Sequence, residues 1–127
     1  MADVNRGNRP LSPHLTIYRP QITSMMSIMH RVTGVAMTLG SALVVWWLLA
    51  AATSEEYFDF ANGVLTSWIG NLIWIGMTFA LAYHFCNGIR HLIWDMGFGF
   101  ELDQVEMSGK ISVGAAGVLT VLVWLLA

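Results

Sequence analysis

Two histidines and a glycine share one helical face in the segment HFCNGIRHLIWD (84–95). His84, Gly88 and His91 fall at i, i+4 and i+7, one above another, with Asp95 a further turn along. The segment closes a stretch from Phe60 to Ile89 that carries no Asp, Glu, Lys or Arg. His84 therefore lies inside an apolar run, where an unpartnered imidazole is costly and marks a functional position. Imidazole, bare backbone and imidazole in a row form a stripe that a flat macrocycle can lie against, so this is a candidate haem face. A helix–helix hydrogen bond and a proton relay are the two other uses open to His84. Arg90 is expected where the segment meets water. Asp95, just beyond, would pair with Arg90 or face a partner.

A second cluster lies in SIMHR (27–31). Ser27, His30 and Arg31 stand at i, i+3 and i+4 and so face one direction, among Met25, Met26, Ile28 and Met29. A hydroxyl, an imidazole and a fixed positive charge at the edge of an apolar segment match the reduction of a lipid-soluble quinone. Its carbonyl needs hydrogen-bond donors, and the negative charge that develops on it needs a nearby cation. The plainer alternative is that Arg31 snorkels to the interface while Ser27 bonds back to its own helix.

The elements that position these residues follow from composition. Of the 127 residues 56% are hydrophobic and only 11% charged, whereas a soluble domain is about one quarter charged. Val32–Ser54, Phe60–Ile89 and Ile111–Ala127 carry no charged side chain. A bilayer core of about 30 Å needs roughly 20 helical residues. The first two runs exceed that length. The third meets it by extending back through Met107–Lys110. The charged stripes of a soluble bundle are absent. The expected fold is all-α and membrane-integral: an arm over 1–21 and three transmembrane helices over roughly 22–52, 62–95 and 107–127. This forms one domain.

Charge sets the orientation. Arg6, Arg9, Arg19 and Arg31 precede or open the first span, and Arg90 and Lys110 flank the second connection. The first connection, TSEEYFDFAN (53–62), holds Glu55, Glu56 and Asp59 and no basic residue. The positive-inside rule then puts the N-terminus and the 90–110 connection in the cytoplasm, and the C-terminus on the periplasmic side of a bacterial inner membrane. Nothing at the start resembles a cleaved signal peptide.

Pro10, Pro13 and Pro20 make the arm extended, set to lie against a partner. Thr23 or Ser24 is a candidate cap for the first helix, Asn62 a candidate start for the second, and Gly97 or Gly99 a candidate stop. Trp46, Trp47, Trp68 and Trp74, with Tyr57 and Phe58, suit an interfacial aromatic belt. Gly34, Gly40, Gly70 and Gly76 permit close helix or cofactor approach. The single cysteine, Cys86, forms no internal disulfide and belongs to no CxxCH pattern. A haem here would be held by ligation alone, hence b-type, with Cys86 a packing residue. His14 lies in the arm, and His30 and His91 sit nearer the surface than His84, at propionate depth. A second axial imidazole would come from another membrane subunit.

NRPLSPHLTIYRPQ (8–21), SIMHRVTG (27–34) and HFCNGIRHLIWD (84–95) together resemble the cytochrome b membrane-anchor subunits of succinate dehydrogenase, respiratory complex II. The family pattern S-x-x-H-R-x-[ST]-G is matched by Ser27, His30, Arg31, Thr33 and Gly34. The pattern H-x-x-x-G-x-R-H-x-x-x-D is matched by His84, Gly88, Arg90, His91 and Asp95. The resemblance implies that His84 is an axial ligand of haem b, with the other ligand supplied by a smaller anchor subunit. It implies that Ser27 and Arg31 line the ubiquinone site, that Arg31 and His30 are also close to the haem propionates, and that the chain forms half of a two-subunit helical bundle. His91 is a further candidate donor to the propionates by its position. It implies an iron–sulfur subunit and a flavoprotein subunit as cytoplasmic partners. No independent activity is expected of this chain, which would act only as a subunit of a succinate:quinone oxidoreductase. A haem-free structural anchor is the competing reading.

Overall fold

A computed structural model describes residues 17–126. Four α-helices are present: α1 (Ile22–Thr53), α2 (Glu55–Leu65), α3 (Trp68–Asp95) and α4 (Leu102–Leu126). There is no strand among the described residues. α1, α3 and α4 are each long and apolar enough to cross a membrane. With 32, 28 and 25 residues, they measure about 48, 42 and 38 Å against a hydrocarbon core of about 30 Å. Their ends therefore stand in the interfacial layers, where polar side chains keep contact with water. The expected all-α, three-span architecture is the one found.

The element boundaries differ from expectation in instructive ways. Residues 53–62 are not a loop. Ser54 caps a separate helix, its Oγ accepting the Tyr57 N–H at 3.2 Å, and Glu55 and Glu56 occupy a first turn that favours negative charge. Tyr57, Phe58, Ala61 and Leu65 then give α2 one inward face. Asn62 lies inside α2 rather than starting α3. The start of α3 belongs to Ser67, whose Oγ accepts the Gly70 N–H at 3.1 Å. A side chain at Gly70 would collide with the Leu65 carbonyl, so the α2–α3 corner closes only around glycine. α1 begins on Gln21, which gives no side-chain cap. Thr23 and Ser24 are already inside the helix, and the Tyr18 hydroxyl donates to Ser24 Oγ at 2.9 Å. α3 stops as expected at Gly97, whose φ of +88° suits a residue without Cβ. α4 starts at Leu102, five residues before its apolar run suggested. The arm over 1–16, with Pro10, Pro13 and His14, lies outside the described residues.

Contacts between Met26 and Tyr83, His30 and His84, Gly40 and Met77 show α1 and α3 running antiparallel. α4 runs antiparallel to α3 in turn, from Arg90–Ser108 at one end to Thr78–Trp124 at the other. The buried faces are built from small or polar residues: Thr33, Gly40, Ala80, Gly109, Ser112, Ala116 and Thr120. This suits a solvent as apolar as leucine, where close backbone approach rather than hydrophobicity drives helix association. Large apolar side chains such as Val35, Leu39, Leu81 and Phe85 point outward.

At the end of the bundle carrying α2, the Trp46 indole donates to the Tyr57 hydroxyl at 2.8 Å, and that of Trp47 to Asn62 Oδ1 at 3.3 Å. These two indoles tie α2 to α1, whereas Trp68 is exposed as an interfacial belt requires. Among the four glycines expected to permit close approach, Gly34, Gly40 and Gly70 do so. Gly76 has no neighbour within 4 Å of where a Cβ would lie.

Candidate functional site

The antiparallel crossing of α1 and α3 brings both motifs to the end of the bundle opposite α2. Their meeting point is the ring of His84. Its Cε1 lies 3.3 Å from where a Cβ on Gly34 would stand, so the missing side chain at 34 is the room into which the imidazole fits. Its Nδ1 lies 3.1 Å from the His30 carbonyl oxygen and 3.2 Å from Thr33 Oγ1.

The proton inventory at this nitrogen decides the tautomer. A carbonyl only accepts. The single hydroxyl proton of Thr33 is directed at its own helix, towards the carbonyls of Met29 and His30, both at 2.9 Å. Neither neighbour offers a hydrogen to Nδ1, so Nδ1 carries the proton and donates it. Nε2 is left as a bare lone pair with no hydrogen-bond partner among the described residues. An imidazole that gives its Nδ1–H to a backbone carbonyl and presents Nε2 outward has the arrangement of a metal-ligating histidine.

The other two imidazoles gather around it. His30 stacks on His84 with centroids 3.8 Å apart and planes 15° apart, and His91 lies 5.3 Å from His30. His30 therefore stands between His84 and His91. Rings stacked this closely cannot ligate one metal from opposite faces of a macrocycle, so His30 is no second axial ligand. Nδ1 of His30 is buried without a hydrogen-bond partner. Between His84 and His91, nothing lies within 4 Å of where a Cβ on Gly88 would be. A free Nε2, an orphaned imidazole nitrogen and a clear glycine strip fit a flat macrocycle with polar substituents. No group of three or more His, Cys, Asp or Glu among the described residues could cage a bare metal ion. A haem iron needs far fewer protein ligands.

Ser27 and Arg31 face away from the stacked rings. With Tyr18, Thr23, Ser24 and Ile28 they line an open groove of about 450 Å³. Thr38, Ser41, Thr53, Ser112 and Thr120 all donate back to their own helices, but the Ser27 hydroxyl makes no hydrogen bond among the described residues. The helical spacing that groups Ser27, His30 and Arg31 therefore hides a division of labour. His30 turns to α3, while Ser27 and Arg31 stay on the groove.

Arg90 overturns an expectation. It is buried, not water-facing, and it does not pair with Asp95. Its Nε donates to Ser108 Oγ at 2.9 Å, one terminal nitrogen to the Val105 carbonyl at 2.7 Å, and the other to Asn87 Oδ1 at 3.3 Å. The guanidinium also lies 4.0 Å from the centre of the Trp94 ring. This clamp joins α3 to α4. Its sequence signal was available in the polar and small residues at four-residue spacing along α4, Ser108, Ser112, Ala116 and Thr120, to which Arg90 and Asn87 are the complement. Cys86 is a free, half-buried thiol lining the groove beside this clamp. The bond from the Tyr83 hydroxyl to the Met26 carbonyl, 3.0 Å, had no legible signal.

Fold and site together define a class: a three-span helical membrane protein with a histidine cluster and a polar groove at one end. Residues 5–123 match the family described as succinate dehydrogenase/fumarate reductase transmembrane subunit, and the chain belongs to that family. It is 48% identical over 122 residues to the succinate dehydrogenase cytochrome b556 subunit of Paracoccus denitrificans, covering 96% of this chain and 94% of that one. Identity is 42% over 116 residues to the cytochrome b556 subunit of Rickettsia typhi, covering 91% and 90%. It is 40% over 124 residues to the cytochrome b560 subunit of Marchantia polymorpha, covering 91% and 88%. The family expected from the two motifs is the family found.

Proposed function

We propose that this chain is the haem b-holding membrane anchor of a bacterial succinate dehydrogenase, and that His84 Nε2 is its axial ligand to the iron. The observation that carries this reading is the proton count at His84: Nδ1–H is consumed by α1 and Nε2 is left free. Haem, when bound, supplies a one-electron redox centre whose potential the protein tunes. His30 and His91 stand beside the ligand as donors for propionates, with Arg31 adding a fixed positive charge. The second axial imidazole comes from a smaller anchor subunit.

Ser27 and Arg31 line the ubiquinone-reduction site. The Ser27 hydroxyl donates to a quinone carbonyl, and the Arg31 guanidinium stabilises the charge that develops on that oxygen. The groove opens at the membrane boundary, where protons arrive from water and an isoprenoid tail remains in lipid. Succinate oxidation and the iron–sulfur relay reside in a flavoprotein and an iron–sulfur subunit. The basic residues Arg19, Arg31 and Lys110 at this end, against Glu55, Glu56 and Asp59 at the other, support a cytoplasmic position for those partners. The N-terminus is then cytoplasmic and the C-terminus periplasmic, in the inner membrane.

The test is the reduced-minus-oxidised visible spectrum of the complex purified through this chain, with succinate as reductant. A sharp low-spin b-type band that is lost or altered in His84→Leu is the expected result. An unaltered band in that variant overturns the ligand assignment. No band even in the unaltered complex under a strong reductant leaves a haem-free structural anchor.

A further inference from the structure

The haem-ligand reading leaves one buried hydroxyl unexplained. Thr33 is 4% exposed, lies across from α3, and is the one side chain of α1 within hydrogen-bonding distance of His84 Nδ1. Its one proton has an α1 carbonyl to bond in either of two directions, which leaves its oxygen available towards α3 as an acceptor. The His30 carbonyl accepts the same Nδ1–H. That carbonyl is also an acceptor for Thr33, so the three groups form a closed triangle in which only the imidazole proton crosses between helices. We infer that Thr33 is a positioning residue for the axial ligand: it holds the His84 ring in the Nδ1–H tautomer, aims Nε2, and sets the ligand's basicity and hence the haem potential.

The physical basis is general. An acceptor on the distal N–H of a ligating imidazole gives the ring partial imidazolate character, which makes Nε2 a stronger donor and favours the oxidised metal. A second acceptor on the same N–H narrows the rotation of the ring about its Cβ–Cγ bond further than one acceptor does. Gly34, the next residue, leaves the ring room to occupy that position. Thr33 and Gly34 thus act as a pair, one aiming the ring and the other admitting it.

This inference rests on His84 being the ligand, and the experiment separates the two. Thr33→Val keeps the shape and removes the hydroxyl, Thr33→Ser keeps the hydroxyl, and His84→Leu removes the ligand. Each is purified as the full complex, and the haem is followed by redox potentiometry and by electron paramagnetic resonance of the ferric form. Thr33→Val is expected to raise the haem midpoint potential, broaden the ferric signal as ring orientations multiply, and weaken haem retention about tenfold. Thr33→Ser is expected to restore all three. A Thr33→Val complex with unaltered potential and ferric signal, alongside a His84→Leu complex that has lost its normal haem spectrum, overturns the role of Thr33 while leaving the ligand standing. An unaltered spectrum in His84→Leu overturns the ligand reading itself. Should valine prevent assembly, Thr33→Ala carries the same expectation, and an unaltered potential there overturns the inference equally.

Discussion

The chemistry of the site is divided among side chains within a few residues of one another. His30 and Arg31 are sequence neighbours, yet one ring stacks on α3 and the other group lines an open groove. Ser27 shares that groove, so Ser27→Ala in the complex should act on the quinone alone. The expected result is a loss of about tenfold or more in kcat/KM for ubiquinone analogues, the size of one hydrogen bond to a charged centre. Succinate oxidation with a soluble dye acceptor and the haem spectrum should both stay intact. A Gly34→Val substitution acts on the opposite side. Even a single Cβ there stands 3.3 Å from the His84 ring, so the two added methyls displace the imidazole. Haem content falls, measurable as haem per complex, while the quinone groove remains formed. Ser27, Arg31 and His84 were legible from residue type and helical spacing. The aim of each side chain was not, because three residues sharing a helical face still diverge by tens of degrees, and only the neighbouring helix selects among them.

At the scale of elements, the α3–α4 joint depends on Arg90. Replacing it with alanine leaves the buried Asn87 Oδ1 without its donor, at roughly 1–3 kcal/mol, and takes one bond from each of Ser108 and the Val105 carbonyl, which keep their bond to one another. Arg90→Ala should lower the thermal midpoint of the detergent-solubilised complex markedly. Arg90→Lys should not restore it, since an ammonium cannot span three acceptors and lie flat on Trp94. The corner between α2 and α3 is a smaller device. Losing the Ser67 cap through Ser67→Ala should destabilise that corner by about 1 kcal/mol, seen as faster amide exchange in the first turn of α3. α2 itself was readable in principle. Serine followed by two glutamates, then Tyr57, Phe58, Ala61 and Leu65 at near-helical spacing, is a helix start with an inward face. The acids were the distraction: they mark an extramembrane segment for orientation and a helical first turn for structure, and the two meanings coincide here.

For the whole molecule, the basic residues among those described all lie at one end of the bundle, where acids balance them, while the other end carries acids alone, and the two ends do different work. One end gathers imidazoles, guanidinium and hydroxyl. The other is an acidic helix strapped down by the indoles of Trp46 and Trp47. With Cys86 replaced by alanine, single cysteines at Glu56 and Asp103, both exposed, should react with a membrane-impermeant thiol reagent from opposite faces of the membrane. Asp103 is expected to label only when the cytoplasmic face is open. Labelling of both from the same side would contradict the three-span path.

Membrane residence, three spans and the two motif clusters were determined by the sequence alone. Each is a property of local composition or of spacing within one helix, and a hydrocarbon solvent enforces both regardless of neighbours. The tertiary structure decided everything that depends on which helix faces which. It buried Arg90 against α4 rather than exposing it at the interface. It stacked His30 on His84, and it set Thr33 and the His30 carbonyl on Nδ1 so that Nε2 alone is free. Hydrogen bonds between helices are directional and short, so they depend on the register and rotation of two helices at once, and no periodicity within either helix encodes them.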